Sequence, residues 1–195
     1  LVDYSHHYET SRYFISRSLS RKKDYFYESY SDGDRFNIYD PEKNFYFYLL
    51  VDASRSKLWL HYVDVDSNER TLLKEYDVGL GRPDPSSPSG ILTPLGKYSI
   101  GKRVAIYKPG IMGYFNHKKV EMIRIFGTRW IPFEGELGNN TAPAKGFGLH
   151  GTPWQPNEQA ISKLADGEEG IGGFESDGCI RLKTEDIEEI FAVIV

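Results

Sequence analysis

The chain has one cysteine, Cys179, within Glu175-Ser176-Asp177-Gly178-Cys179-Ile180-Arg181-Leu182, and upstream a histidine within Gly148-Leu149-His150-Gly151-Thr152. A thiol near its ordinary pKa is mostly protonated at neutral pH, so a nucleophilic cysteine needs a base or a field that favours the thiolate. His150 is the natural base. His6 and His7 lie in the first residues, His61 falls within a strand pattern, and His117 precedes Lys118-Lys119; His150 alone sits in a glycine-flanked turn. The approach to the thiol, Gly170-Ile171-Gly172-Gly173 through Gly178, lets backbone come close to a ligand and aim successive amides at one spot, as an oxyanion requires. Arg181, two residues beyond the thiol, is placed to lower its pKa or to hold a substrate carboxylate. Thiol, base and amide cradle together point to acyl transfer. The plain alternative is a small buried cysteine with no chemistry.

The elements that must position these residues are mostly strands. Phe45 to Val51 is an aromatic and aliphatic run of strand length, closed by Asp52-Ala53-Ser54-Arg55-Ser56. Lys57 to Val63 then sets Leu58, Leu60 and Tyr62 on one face, so the two runs predict a hairpin. Residues 71–79 and Glu121 to Phe126 read as further strands, and Thr93-Pro94-Leu95-Gly96 as a turn into a strand ending at Ile100. Arg82 to Gly90 is too rich in Pro and Ser for regular structure, and Asn139 to Gly146 is a second irregular loop. Two helices are expected near the site. One is capped by Asn157, with Ile161, Leu164 and Ala165 on a face and Gly167 past its end. The other starts at Thr184, with Ile187, Ile190, Phe191 and Ile194 at helical spacing. That apolar stripe is core packing.

Length, composition and charge narrow the class. The 195 residues are enough for one large domain, or one with an extension, and 28 aromatic residues beside 19 glycines suit a strand-rich fold. Residues 1–44, rich in Ser, Tyr, Arg and Asp, read as an N-terminal extension of uncertain order before a domain over 45–195. A net charge of −4 gives no reason to expect nucleic-acid binding. Arg12, Arg17, Arg21, Lys22 and Lys23 form a local basic stretch, a solvated arm or a contact for an anionic surface. A single cysteine permits no disulfide within the chain, and no apolar run is long enough for a transmembrane helix. Leu1 in place of Met predicts a trimmed or processed chain from which a signal peptide could have been removed. Gly79-Leu80-Gly81 lacks the third glycine of a dinucleotide loop and runs into Pro83. The scattered histidines give no metal spacing, so no metal and no cofactor is expected.

Thr93-Pro94-Leu95-Gly96-Lys97-Tyr98-Ser99-Ile100, Leu149-His150-Gly151-Thr152 and Ser176-Asp177-Gly178-Cys179-Ile180-Arg181-Leu182 resemble, in order, the three signatures of the YkuD-like L,D-transpeptidases. Val51-Asp52 through Leu60 resembles that family's opening hairpin, so the resemblance covers residues 45–195. It implies a mostly β catalytic domain of sandwich or barrel type, with one or two short helices near the active site. It further implies a periplasmic or cell-envelope enzyme in which Cys179 attacks a peptidoglycan stem tetrapeptide. D-alanine leaves, and an amine-bearing acceptor resolves the thioester. Carbapenem-type β-lactams would be covalent inhibitors. His150 would take the thiol proton, its ring steadied by the Gly151 carbonyl, and the amides of Asp177, Gly178 and Cys179 would form the oxyanion hole. Arg181, Ser176, Thr152 and Trp154 would contact substrate.

Two departures from the family pattern bear on function. Asp177 stands where most members have His, adding a carboxylate that opposes thiolate formation. The spacer between His150 and Ser176 is long, with Pro153-Trp154-Gln155-Pro156 as a lid, a groove wall or a plain surface insertion. Water as acceptor, giving an L,D-carboxypeptidase or related hydrolase, and a catalytically weak peptidoglycan-binding module are the alternatives.

Overall fold

The computed structural model of the chain describes residues 2–20, 30–102, 104–154 and 170–195. The helix expected from Asn157, residues Gln155 and Pro156, and Arg21, Lys22 and Lys23 lie outside the described residues.

Two short helices come first, α1 (Val2–His7) and α2 (Arg12–Ser18), the second capped by Ser11 Oγ, which accepts from the Tyr13 amide at 3.3 Å. Although this stretch is polar in composition, Ile15 and Leu19 fall one helical turn apart and are buried. Tyr13 meets Phe191 edge to face at 5.0 Å, and the Tyr39 hydroxyl donates to the Val193 carbonyl. Residues 10–19 and 39 are thus packed on the body of the fold.

The expected hairpin is present as β1 (Phe45–Asp52) and β2 (Lys57–Asp64), extended by β3 (Glu69–Asp77) into an antiparallel sheet. Its tight turn forms because Asp52 Oδ1 accepts from the Ser54 amide at 2.9 Å, while Ser56 takes the left-handed conformation at φ 52°. The register sets Val51 opposite Leu58 and Leu49 opposite Leu60, and Leu58 and Leu60 are buried. Tyr46 and Leu50 face outward on the other side, each half exposed.

Next come β4 (Leu80–Gly81), β5 (Tyr98–Ile100), β6 (Ala105–Ile106), and a ribbon of β7 (Met112–Phe115) and β8 (Lys118–Glu121). Glu121 to Phe126, expected as a strand, instead ends β8 at Glu121 and turns into the short helix α3 (Ile123–Phe126). A tight chain reversal at Gly127 overrides the β-branched composition of this segment. Gly127, at φ 61°, closes the turn through its amide to the Ile123 carbonyl and lies against Gly151 and Thr152, which no extended strand would permit.

The central sheet runs β12 (Ile180–Leu182), β10 (Gly148–Gly151), β9 (Arg129–Glu136), β5, with β6 also on β9. β11 (Phe174–Ser176) pairs with β4 in parallel, and α4 (Thr184–Ile194) closes the described chain. Among the described residues the fold is mostly β, as expected, but no sheet closes into a barrel. Ile131, Leu149, Ile180 and Leu182 pack one face of the central sheet onto Ile187, Ile190 and Phe191 of α4, the stripe expected from its spacing. Each such side chain stabilises the fold by about 1.5–3 kcal/mol through burial.

Candidate active site

Strand pairing brings the chemical residues together. β10 and β12 run parallel, with Leu149 opposite Ile180 and His150 opposite Arg181. Leu149, Ile180 and Leu182 point into the core, so by strand alternation Arg181 and His150 share the opposite face, with Cys179 immediately before β12. Cys179 is half-buried at the head of β12, its Sγ 3.9 Å from the Gly146 carbonyl oxygen. On β9, Trp130 pairs with His150. Its ring centroid is 6.1 Å from the imidazole, and Phe126 of α3 meets the same ring edge to face at 5.3 Å. Phe126 and Trp130, which sequence reasoning did not single out, wall the histidine off from solvent.

His150 Nδ1 lies 2.7 Å from the Gly151 carbonyl oxygen. A carbonyl only accepts, so Nδ1 carries the proton and Nε2 keeps its lone pair free to act as a base. Burial lowers the imidazole from 6.5 to about 4, against the raising effect of the Gly151 bond and with a further lowering from Arg181. Burial likewise pushes the Cys179 thiol from 9.0 up to about 11, countered in part by the Gly148 amide and Arg181 and reinforced by Asp177. The resting site is a neutral thiol with a neutral imidazole.

The turn that presents the thiol is locked from within. Ser176 Oγ donates to the Cys179 carbonyl at 2.6 Å and accepts from the Gly178 amide at 3.1 Å. The buried Ser176 side chain is therefore a buckle across the turn, and the Gly178 amide is engaged there. Gly178 is at φ 118°, and a β-carbon on it would meet Phe147 Cε1 at 2.5 Å and the Leu92 carbonyl oxygen at 2.8 Å, so only glycine fits. Asp177 is exposed and ion-paired with Arg82, a residue the sequence did not flag.

The remaining candidates are more distant in role. Arg181 pairs by backbone with Gly79, and its Nε is buried without a hydrogen-bond partner among the described residues. Thr152 is buried, its amide on the Leu182 carbonyl at 3.0 Å. Trp154 is half-buried, its amide on the Ile123 carbonyl and its Nε1 without a partner among the described residues. Thr93, in the first signature, is buried and accepts the Gly81 amide through Oγ1 at 2.7 Å, which fastens β4 behind the site. Gly79, in the Gly79-Leu80-Gly81 stretch, is glycine because a β-carbon would fall 2.1 Å from the Gly170 carbonyl oxygen. Among the described residues, no three His, Cys, Asp or Glu are grouped to hold a metal, and no helix is long and apolar enough to cross a membrane.

Among curated proteins no match to the sequence was found. Among solved structures, that of Bd1075 from Bdellovibrio bacteriovorus is similar, at 15% identity and a TM-score of 0.45, over 76% of this chain and 44% of that one. The chain therefore spans less than half the length of that protein. The YkuD family, the L,D-transpeptidase catalytic domain, matches residues 46–195, which is most of the chain and all of the strands and loops that hold Cys179 and His150. The chain belongs to the YkuD family of L,D-transpeptidase catalytic domains.

Proposed function

We propose that the chain is a cysteine acyltransferase acting on peptidoglycan stem peptides in the cell envelope. The observation that carries this reading is His150, whose Nδ1 is tied to the Gly151 carbonyl so that Nε2 is a free base on β10, the strand paired with the one that Cys179 leads into. Cys179 Sγ attacks the carbonyl carbon on the donor side of the terminal D-alanine as His150 Nε2 takes the thiol proton. The oxyanion so formed is assigned to the amides of Asp177 and Cys179, since the Gly178 amide is bonded to Ser176 Oγ in the resting turn. A well-aimed donor of this kind is worth about 3 kcal/mol. The C–N bond then breaks, the imidazolium returns its proton to the departing amine, and a thioester remains on Cys179. An amine of a second stem attacks that thioester, His150 again removing the proton, and regenerates the thiol with a new amide bond.

Arg181 acts here as a fixed cation on the site face, raising the fraction of thiolate and repelling a proton from His150. Trp154, half-buried just past the end of β10, serves as a wall of the substrate groove, whereas Thr152 is buried and fastens the end of β10 to Leu182 through its amide. Residues 1–44 are an extension, of which residues 10–19 and 39 pack on the catalytic domain. Incubation with defined disaccharide-tetrapeptides tests the reading. Cross-linked dimers that disappear in Cys179→Ala support transfer, tripeptide alone identifies water as the acceptor, and no product with any stem identifies a binding module.

A further inference from the structure

The nucleophile's turn carries an exposed charge of the wrong sign for thiolate chemistry. Asp177 is two residues before Cys179, with its side chain 76% exposed, and its carboxylate works against ionisation of the thiol. Across the turn stands Arg82, whose Nη1 is paired with Asp177 Oδ1. The pair is built from the backbone up. The Arg82 amide donates to the Ser176 carbonyl at 3.0 Å and its carbonyl accepts from the Leu92 amide at 3.0 Å. Leu92 in turn lies against Gly178. Arg82 is therefore tied by its main chain to the residue before Asp177, at the end of the β4 and β11 pairing, which sets its side chain beside that carboxylate.

We propose that Arg82 is a positioning residue for the reaction proposed above, acting through Asp177: it neutralises that carboxylate and holds the turn bearing the Asp177 and Cys179 amides. The inference rests on Cys179 being the nucleophile. Among the described residues, the other charged or titratable groups around the thiol are His150 on β10, Arg181 on β12 and, beside Arg181, Glu175 on β11 near Gly170. Among the described residues none of these is ion-paired with Asp177, so removing Arg82 leaves that carboxylate without its partner, and its effect on the thiol is then opposed only by Arg181 and the Gly148 amide.

The test is a double-mutant cycle read as the pH profile of Cys179 alkylation by iodoacetamide, alongside the rate of thioester formation with a tetrapeptide stem. Arg82→Ala should slow alkylation at fixed pH by about threefold, the effect of one partly screened charge near a solvent-facing site, and Arg82→Lys should restore it. In an Asp177→Asn background the same Arg82→Ala change should have no effect on alkylation. A loss of equal size in both backgrounds, no loss in the Asp177 background, or Arg82→Lys behaving like Arg82→Ala would each overturn the inference. The underlying reading fails separately: a wild type that forms no thioester with any stem would sink it, whatever the alkylation cycle shows.

Discussion

The neutral resting state of the thiol and imidazole is the sharpest consequence of the site's burial. With its pKa near 11, Cys179 would hold about one part in ten thousand as thiolate at pH 7, against about one in a hundred at its ordinary value of 9.0. Alkylation of the wild type by iodoacetamide, followed by intact mass from about pH 6 to pH 10, should therefore rise about tenfold per pH unit without a plateau. His150, held neutral with a pKa near 4, stabilises no thiolate at rest. Its replacement in His150→Ala should change alkylation at pH 7 by less than about threefold, while thioester formation with a stem peptide should fall by about a hundredfold to ten thousandfold, the range for losing a general base. An alkylation plateau below about pH 8 that vanishes in His150→Ala would show a preformed thiolate–imidazolium pair, and would refute this reasoning.

Three more outcomes are expected from the same structure. The unfolded chain takes up a proton on His150 below about pH 6.5, whereas the folded chain does so only near pH 4. The neutral ring thus contributes about 3 kcal/mol that is full above pH 6.5 and lost as the pH falls through 4. Urea midpoints at pH 7 and pH 4.5 should drop less in His150→Gln than in the wild type, and equal drops would contradict the assignment. Gly178→Ala forces a β-carbon into Phe147 and the Leu92 carbonyl at a backbone angle that alanine resists, so thioester formation should fall more than tenfold; unchanged kinetics would show that the turn yields without harm. Ile15→Ala should cost about 2–4 kcal/mol in urea unfolding because Ile15 is fully buried, and a loss below about 0.5 kcal/mol would show α2 to be loosely held.

Much of this was legible in the sequence, for reasons that differ by element. The β1–β2 hairpin follows from alternation on either side of an Asp-led turn, and α4 from apolar residues at helical spacing, because both patterns are local. Cys179 and His150 stood out through their glycine context; His150 lies on β10 and Cys179 immediately before β12, the strand paired with it. Arg82 was hidden because its partner is 95 residues away and an arginine in a Pro- and Ser-rich loop carries no local signal. Phe126 and Trp130 were hidden for a related reason: an aromatic residue against a histidine looks, in sequence, like any other core residue. In the first residues a single turn of apolar spacing, Ile15 to Leu19, was outweighed by polar composition. The α3 segment failed in the opposite direction, its β-branched residues outvoted by the chain reversal at Gly127.

Intact-mass measurement after mixing with a tetrapeptide stem, and separately with a carbapenem, bears most directly on Cys179 as the acylated nucleophile. The account predicts a covalent adduct on the wild type that maps to the peptide bearing Cys179 and is absent from Cys179→Ala. An adduct that persists in Cys179→Ala, or no adduct with either compound, would contradict it.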